Sequence, residues 1–345
     1  MTGVRFMGEV PFRQVYFHPV VCDAQGETMS KSKGNGIDPL HVISGATMKE
    51  LEEPIFEARA ENMQEVLARV RATFPNGFPA VGADALRLTL LSLNSHAQQI
   101  QISLQKFEET GKRFTEKLWN ASRFVIAGLQ ELIPASTTPA PLAFEDRWIL
   151  SRLDNTVTAV RKSLDSFLFH EAVDAISKFF WDDFCDWYVE LTKPRLREGS
   201  EAERRRVQLT LAESLSSVLR LLHPFAPFIT EELWGHLHPL LVRIDSPEFS
   251  TVVKFEICAQ APYPLDLGRN DKKLDSEFSL LQEIVRGVRM MRANANIQGT
   301  AQLVTQVLVR RQELRSVIES GRQIIMRSAK LKSIDFCETT PDRKS

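Results

Sequence analysis

Four successive stretches, residues 144–168, 171–191, 201–222 and 230–237, set their apolar side chains at the spacing of an amphipathic helix. Helices with such stripes bury them against one another, so this part of the chain predicts a helix bundle. Punctuation agrees. Leu222-His223-Pro224 and Ala226-Pro227 stop one helix, and Thr230, followed by Glu231 and Glu232, predicts a cap with first-turn acids for the next. The block KFFWDDFCDWYVELTKPR at 178–195 puts Phe180, Phe184, Trp187, Tyr188 and Leu191 near one helical face, which marks core. Asp182, Asp183 and Asp186 on the same helix lack the spacing and glycine of a calcium loop. They are expected to be solvated or ion-paired, and no metal is assigned.

The flanks differ in texture. Residues 14–21, QVYFHPVV, predict a strand weakened by Pro19, and CDAQGE then supplies a turn. Helical spacing over 47–70 carries an expected break at Pro54, residues 73–82 form a Pro/Gly loop, and Asp84 is placed as the cap of the helix ALRLTLLSL. An amphipathic segment covers 104–132, and IPASTTPAP at 133–141 has linker composition, so a domain boundary is placed there. Further on come a helix at 274–293, a strand at 301–309, a helix at 314–328 and a frayed polar tail beyond 339. With 345 residues, 43% hydrophobic and 25% charged, the chain predicts two or three domains and not disorder.

Formal net charge is -1, so any nucleic-acid surface must come from local clusters of Lys and Arg. Cys22, Cys185, Cys258 and Cys337 lie far apart without a C-x-x-C pair, which suggests a reducing compartment and neither a zinc site nor a disulfide framework. The start lacks a signal peptide's apolar core, and no window reaches ~18 uninterrupted apolar residues. A cytoplasmic protein with no membrane partner is expected.

Chemistry concentrates in few places. Residues 27–35, ETMSKSKGN, crowd two ammonium groups and two serine hydroxyls onto a short loop after a strand and turn. Such a loop either neutralises a polyphosphate or keeps a surface solvated, and it is no Walker A loop. Basic clusters at 193–208 and 286–296 either line RNA phosphates or form solvated helix faces, with Arg195, Arg197, Arg286, Arg289 and Arg292 as the RNA-contact candidates. Histidines such as His18, His41 and His223 sit singly, with no Ser or Cys nucleophile paired to them.

In order along the chain, MSKSKGN, GADALRLTLLSL, KLWNASRF, DRWILSRL, FCDWYVELTKP and LHPFAPFITEELW resemble the class I aminoacyl-tRNA synthetases. FPNGFPAVGADALRLTL and FCDWYVELTKP are more similar to the valyl branch than to its isoleucyl and leucyl relatives. The resemblance spans roughly residues 1–300. It implies a mainly α fold: a remnant of a Rossmann-type α/β catalytic domain with the signature loop (1–45), a helical stem-contact region (46–132), a linker (133–143), an anticodon-binding helix bundle (144–262) and a small α/β C-terminal region (263–345).

By the same resemblance Met29, Ser30, Lys31 and Ser32 bind ATP in a mobile loop that closes over its triphosphate, with Lys31 as the catalytic lysine and Mg2+ accompanying the nucleotide. A closing ammonium stabilises charge on the departing pyrophosphate, and Ser30 and Ser32 add donors. Several positions depart from the family. Thr28 replaces its first signature lysine, Pro19 and Gly36 stand where Gly and Val are usual, and the His-Ile-Gly-His signature, the first nucleotide-fold half, the valine pocket, the editing insertion and the coiled-coil arm are missing. The implied function is the C-terminal part of an enzyme joining valine to its tRNA through valyl-adenylate, inactive as an isolated chain. Its implied partners are valine tRNA and a separately encoded N-terminal half. The alternative is a non-catalytic tRNA-binding paralogue that keeps the bundle.

Overall fold

The computed structural model describes residues 2–30, 35–57, 62–94, 98–298, 301–309 and 311–337, and helices dominate among them. A short helix α1 (Thr2–Met7) precedes an irregular run into the strand β1 (Val20–Cys22). The longer strand expected over 14–21 does not form. Pro19 has no N–H for a ladder, and pairing begins only beyond it. Helices α2 (Pro39–Ser44), α3 (Met48–Glu57), α4 (Met63–Thr73) and α5 (Ala83–Leu93) lead to β2 (Gln99–Gln101). β2 lies parallel to β1, with Val20 opposite Gln99 and Cys22 opposite Gln101. Pro54 lies inside α3, which continues to Glu57, so the break expected at Pro54 does not occur there.

Helix α6 (Leu104–Lys106) passes through a π-helical stretch, Phe107–Lys112, into α7 (Arg113–Gln130). The bundle follows: α8 (Phe144–Asp165), α9 (Phe169–Lys178), a second π-helical stretch (Phe179–Val189) running into α10 (Glu190–Glu198), then α11 (Glu201–Leu222) and α12 (Pro227–Ile244). Ser200 and Glu203 close a reciprocal capping box at the start of α11. Phe180, Phe184 and Tyr188 are fully buried and Trp187 and Leu191 nearly so, as the aromatic face predicts. The long helix α13 (Lys272–Asn294) docks through Phe278, whose ring stacks on Trp148 at 3.7 Å between centroids. Beyond it β3 (Leu303–Leu308), α14 (Gln312–Ser320), α15 (Arg322–Ala329) and β4 (Leu331–Cys337) form a crossover unit whose two strands are parallel. The sequence pattern does not predict β4.

Three hydrophobic clusters form among the described residues, the least of them Ile55 with Leu67 between α3 and α4. The large one fills the bundle and extends to Ile325 and Ile334, whereas a smaller one gathers Val42, Phe78, Val81, Ile100 and Phe107. Helix α5, apolar almost all round, serves both: Leu88 faces the bundle, while Ala85 and Leu86 belong to the small core. Its approach to the π-helical stretch is so close that a Cβ on Gly111 would lie 2.1 Å from the Ala85 carbonyl oxygen.

Two expected caps are wrong. Asp84 lies in the first turn of α5 instead of preceding it, and α5 follows Gly82 with no side-chain cap. Thr230 lies within α12, which starts at Pro227, and its hydroxyl donates to the Ala226 carbonyl at 2.7 Å. The anion at the start of α12 is Asp84 itself, from 145 residues away, which accepts from Ile229 N at 2.6 Å. The segment at 133–141 is also tied down. Ile133 N donates to Gln208 Oε1, Arg205 donates to Ile133 O, and Arg206 donates to Ala140 O. Among the described residues no helix is long and apolar enough to cross a membrane.

Candidate functional site

The lysine-rich loop leaves β1 through a turn organised by one carboxylate. Asp23 Oδ1 accepts from Gln25 N at 3.0 Å and from Glu27 N at 2.8 Å, and its other oxygen accepts from Asn35 Nδ2 at 2.9 Å. Asn35 Oδ1 in turn accepts from Ser30 N at 3.0 Å. The two ends of the loop are therefore fastened together. Thr28 forms an antiparallel bridge with Cys22, and Gly26 takes a positive φ of 83° that a side chain would strain. Burial would raise the Asp23 carboxyl, but the hydrogen bonds from Asn35, Glu27 and Gln25, with the charge of Arg69, outweigh it and hold it below the ordinary aspartate range.

Met29 is half-buried against the small core and Ser30 is half-buried at the fastened base. Lys31 and Ser32 lie outside the described residues. After the loop Asp38 caps α2, accepting from Leu40 N at 2.8 Å. Asp23 and Asn35, which organise the loop base, are candidate-site residues that residue patterning did not single out, although an Asp before Gly26 marks the turn itself. Gly36 has open space around its Cβ position, so no steric demand explains the glycine.

The five arginine candidates separate by geometry. Arg195 is spent inside the bundle, where its guanidinium grips both carboxylate oxygens of the fully buried Asp146, at 2.7 and 2.8 Å, and reaches Glu145 at 3.0 Å. Tyr188 OH also donates to Asp146, at 2.8 Å. Burial would lower the pKa of Arg195, but the hydrogen bonds and charge of Asp146 and Glu145 dominate and raise it. Arg292 is buried as well, and its donors go to the carbonyls of Gln298, Ala301, Ala329 and Lys330, which tie α13 to the residues just before β3 and β4. Neither has donors directed at a phosphate.

Arg197 and Arg286 are exposed at the end of α10 and on α13. Arg289, also exposed, donates to Ser328 O at 2.9 Å and lies 5.9 Å from the Trp187 ring centroid. Arg286 and Arg289 share one helix, while Arg197 stands on another. A groove of about 660 Å³ beside the start of α12 is lined by His223, Phe228, Glu231, Glu232 and His236, and its two carboxylates make it a poor RNA surface. Asp183 is paired with Arg152 at 2.8 Å and Asp186 with Lys117 at 2.7 Å. Among the described residues no group of His, Cys, Asp and Glu has a metal-holding arrangement.

Comparison with known proteins matches two families. Residues 1–103 match tRNA synthetases class I (I, L, M and V), and residues 146–308 match the anticodon-binding domain of tRNA ligase. The chain is 36% identical over 302 residues to a valine–tRNA ligase of Laribacter hongkongensis, covering 86% of this chain and 31% of that protein. It is 37% identical over 314 residues to one of Rhodopirellula baltica (86% and 30%), and 34% identical over 342 residues to one of Fervidobacterium nodosum (99% and 33%). It thus spans about a third of the length of these curated relatives. A solved ternary complex of an Agrobacterium radiobacter K84 LeuRS with tRNA and LeuAMS is 19% identical with a TM-score of 0.47, covering 90% of this chain and 31% of that one.

Proposed function

Because the chain belongs to the class I tRNA synthetases, carrying the end of their catalytic domain and their anticodon-binding domain, we propose that it is the corresponding part of a valine–tRNA ligase. In this proposal the whole enzyme activates valine with ATP and passes it to valine tRNA in the cytoplasm. The observation that carries it is the fastened loop base, Asp23 to Asn35 to Ser30, within the segment matched to the class I catalytic domain. A loop whose ends are held together can move as a unit over a triphosphate without disturbing β1. Lys31 supplies the ammonium toward the leaving pyrophosphate, with Met29, Ser30 and Ser32 completing the ATP-binding loop. In this proposal Mg2+ accompanies the nucleotide phosphates, and no step is assigned to it.

We place the division of labour at the boundaries 1–45, 46–132, 133–143, 144–262 and 263–345. Arg197 at the end of α10 and Arg286 and Arg289 on α13 are the proposed phosphate contacts, whereas Arg195 and Arg292 hold the fold. Filter binding of valine tRNA at several salt concentrations tests this. Binding should weaken with salt, and each phosphate contact removed by Arg197→Ala or Arg286→Ala should lower the magnitude of the log–log slope by about 0.9. No preference over a non-cognate tRNA would overturn valine specificity, and binding insensitive to salt would overturn the phosphate contacts. For the catalytic side, the chain alone should show no valine-dependent exchange of pyrophosphate into ATP, and addition of a separately expressed N-terminal half should restore it. Restored exchange would also exclude the non-catalytic paralogue.

A further inference from the structure

Helix α5 touches the bundle at both its ends, in two different ways. At its start Asp84 and Arg87, one turn apart, face the corner where α11 gives way to α12. Asp84 accepts from Ile229 N at 2.6 Å and Phe228 N at 3.3 Å, two amides of the first turn of α12 that have no partner within their own helix. Arg87 donates through Nε to Phe225 O at 3.1 Å and through Nη2 to Pro224 O at 2.9 Å, two carbonyls of the turn that ends α11. The carboxylate thus sits at the positive end of one helix and the guanidinium at the carbonyls just after the negative end of another. Ala226, at the cap position of α12, offers no side-chain acceptor. At the other end of α5, Asn94 accepts from the Tyr16 hydroxyl at 2.9 Å, and the Tyr16 ring meets Phe167 in the α8–α9 turn and Phe169 at the start of α9, at 5.9 and 5.5 Å between centroids.

The opposite face of α5 is joined to the signature-loop side. Val81 N donates to Val42 O at 3.1 Å and Gly82 N to Ile43 O at 3.2 Å, tying the entry of α5 to α2, the first helix after the loop. Apolar burial on both faces of α5 supplies adhesion but little direction, because the hydrophobic effect is non-directional. Directed bonds are what fix an angle.

We propose that Asp84 and Arg87 are positioning residues for the ligase reaction: together they latch α5 to the α11–α12 corner and set the angle between the anticodon-type bundle and the part that carries the signature loop. Their functional meaning rests on the synthetase assignment above, but their geometry is testable apart from it. The latch acts on orientation and not on the proposed phosphate contacts, which stand on α10 and α13.

The experiment uses the full chain with spin labels at Leu40→Cys on α2 and Lys162→Cys on α8, both exposed, in a Cys337→Ser background that leaves only the buried cysteines. The parent should give one narrow inter-label distance. Asp84→Ala, Arg87→Ala and the double variant should lose it and show several populations at temperatures well below unfolding, while Asp84→Asn, which keeps one acceptor, should fall between. A role in stability alone would lower Tm and leave the folded-state distance narrow, and that result in the double variant would overturn the proposal. Arg87→Ala guards against failure to fold, since it removes only the exposed arm. Valine tRNA affinity of these variants should match that of the parent. Absence of tRNA binding in the parent would count against the functional assignment and leave the latch standing, whereas a narrow distance in every variant would do the reverse.

Discussion

At position 23 a single carboxylate gathers three N–H donors, and the loop's two ends are held by it and by Asn35. A hydrogen bond to a charged acceptor contributes ~1.5–3 kcal/mol, so Asp23→Asn and Asn35→Ala should free the loop base while leaving global Tm nearly unchanged. Hydrogen exchange at the Glu27 and Ser30 amides checks this, and both should exchange faster. The sign with pH follows from the lowered carboxyl. Its stabilising contribution is complete above the ordinary aspartate value of 3.8 and is lost as pH falls through the still lower folded-state value, so NMR should show the loop base intact at neutral and mildly acid pH and opening only below 3.8. Arginines of one cluster should behave oppositely. Arg195→Ala strands the buried Asp146 and should cost ~3–5 kcal/mol in urea unfolding, whereas the exposed Arg197→Ala should stay within about 0.5 kcal/mol.

Among elements, the two π-helical stretches and the last strand show where periodic patterning loses resolution. Residues 104–130 and 169–198 keep a helical spacing, and both run as continuous rods, yet Phe107–Lys112 and Phe179–Val189 carry the wider hydrogen-bond pattern. At the first of them Gly111 lets the rod meet α5 at backbone contact. Gly111→Ala should cost ~1–3 kcal/mol, because the obstacle is the Ala85 carbonyl and not a side chain that can turn away. Thermal unfolding measures it, and an unchanged Tm would mean that α5 is free to recede. β4 escapes detection because LKSIDFC buries Leu331 and Ile334, an odd and an even position, and so lacks a period of two.

For the whole molecule, the leading segment contrasts with the bundle. Phe6, Met7 and Phe17 are 77%, 80% and 87% exposed, whereas the bundle's aromatic face is buried. The chain should therefore bind an apolar dye such as ANS in its native state, and Phe6→Ser with Phe17→Ser should remove most of that signal while shifting stability by no more than about 0.5 kcal/mol. The bundle itself was legible from amino-acid order alone, since stripes at helical spacing, Pro breaks and the aromatic face at 178–195 are local signals that burial simply completes. The lysine-rich loop stood out by its residues, but the fastening of its base by Asp23 and Asn35 did not, because a side-chain bond across twelve positions has no period. The arginines show the same limit from the other side. Spacing puts Arg195 and Arg292 beside Arg197 and Arg286, and only the fold reveals that the first two face a buried carboxylate and a ring of carbonyls. Asp84 marks the boundary most clearly. Its neighbours in sequence made it the cap of its own helix, and tertiary packing gave it to a helix 145 residues away, because the amides at that helix's start had no nearer acceptor once α5 was buried between two cores.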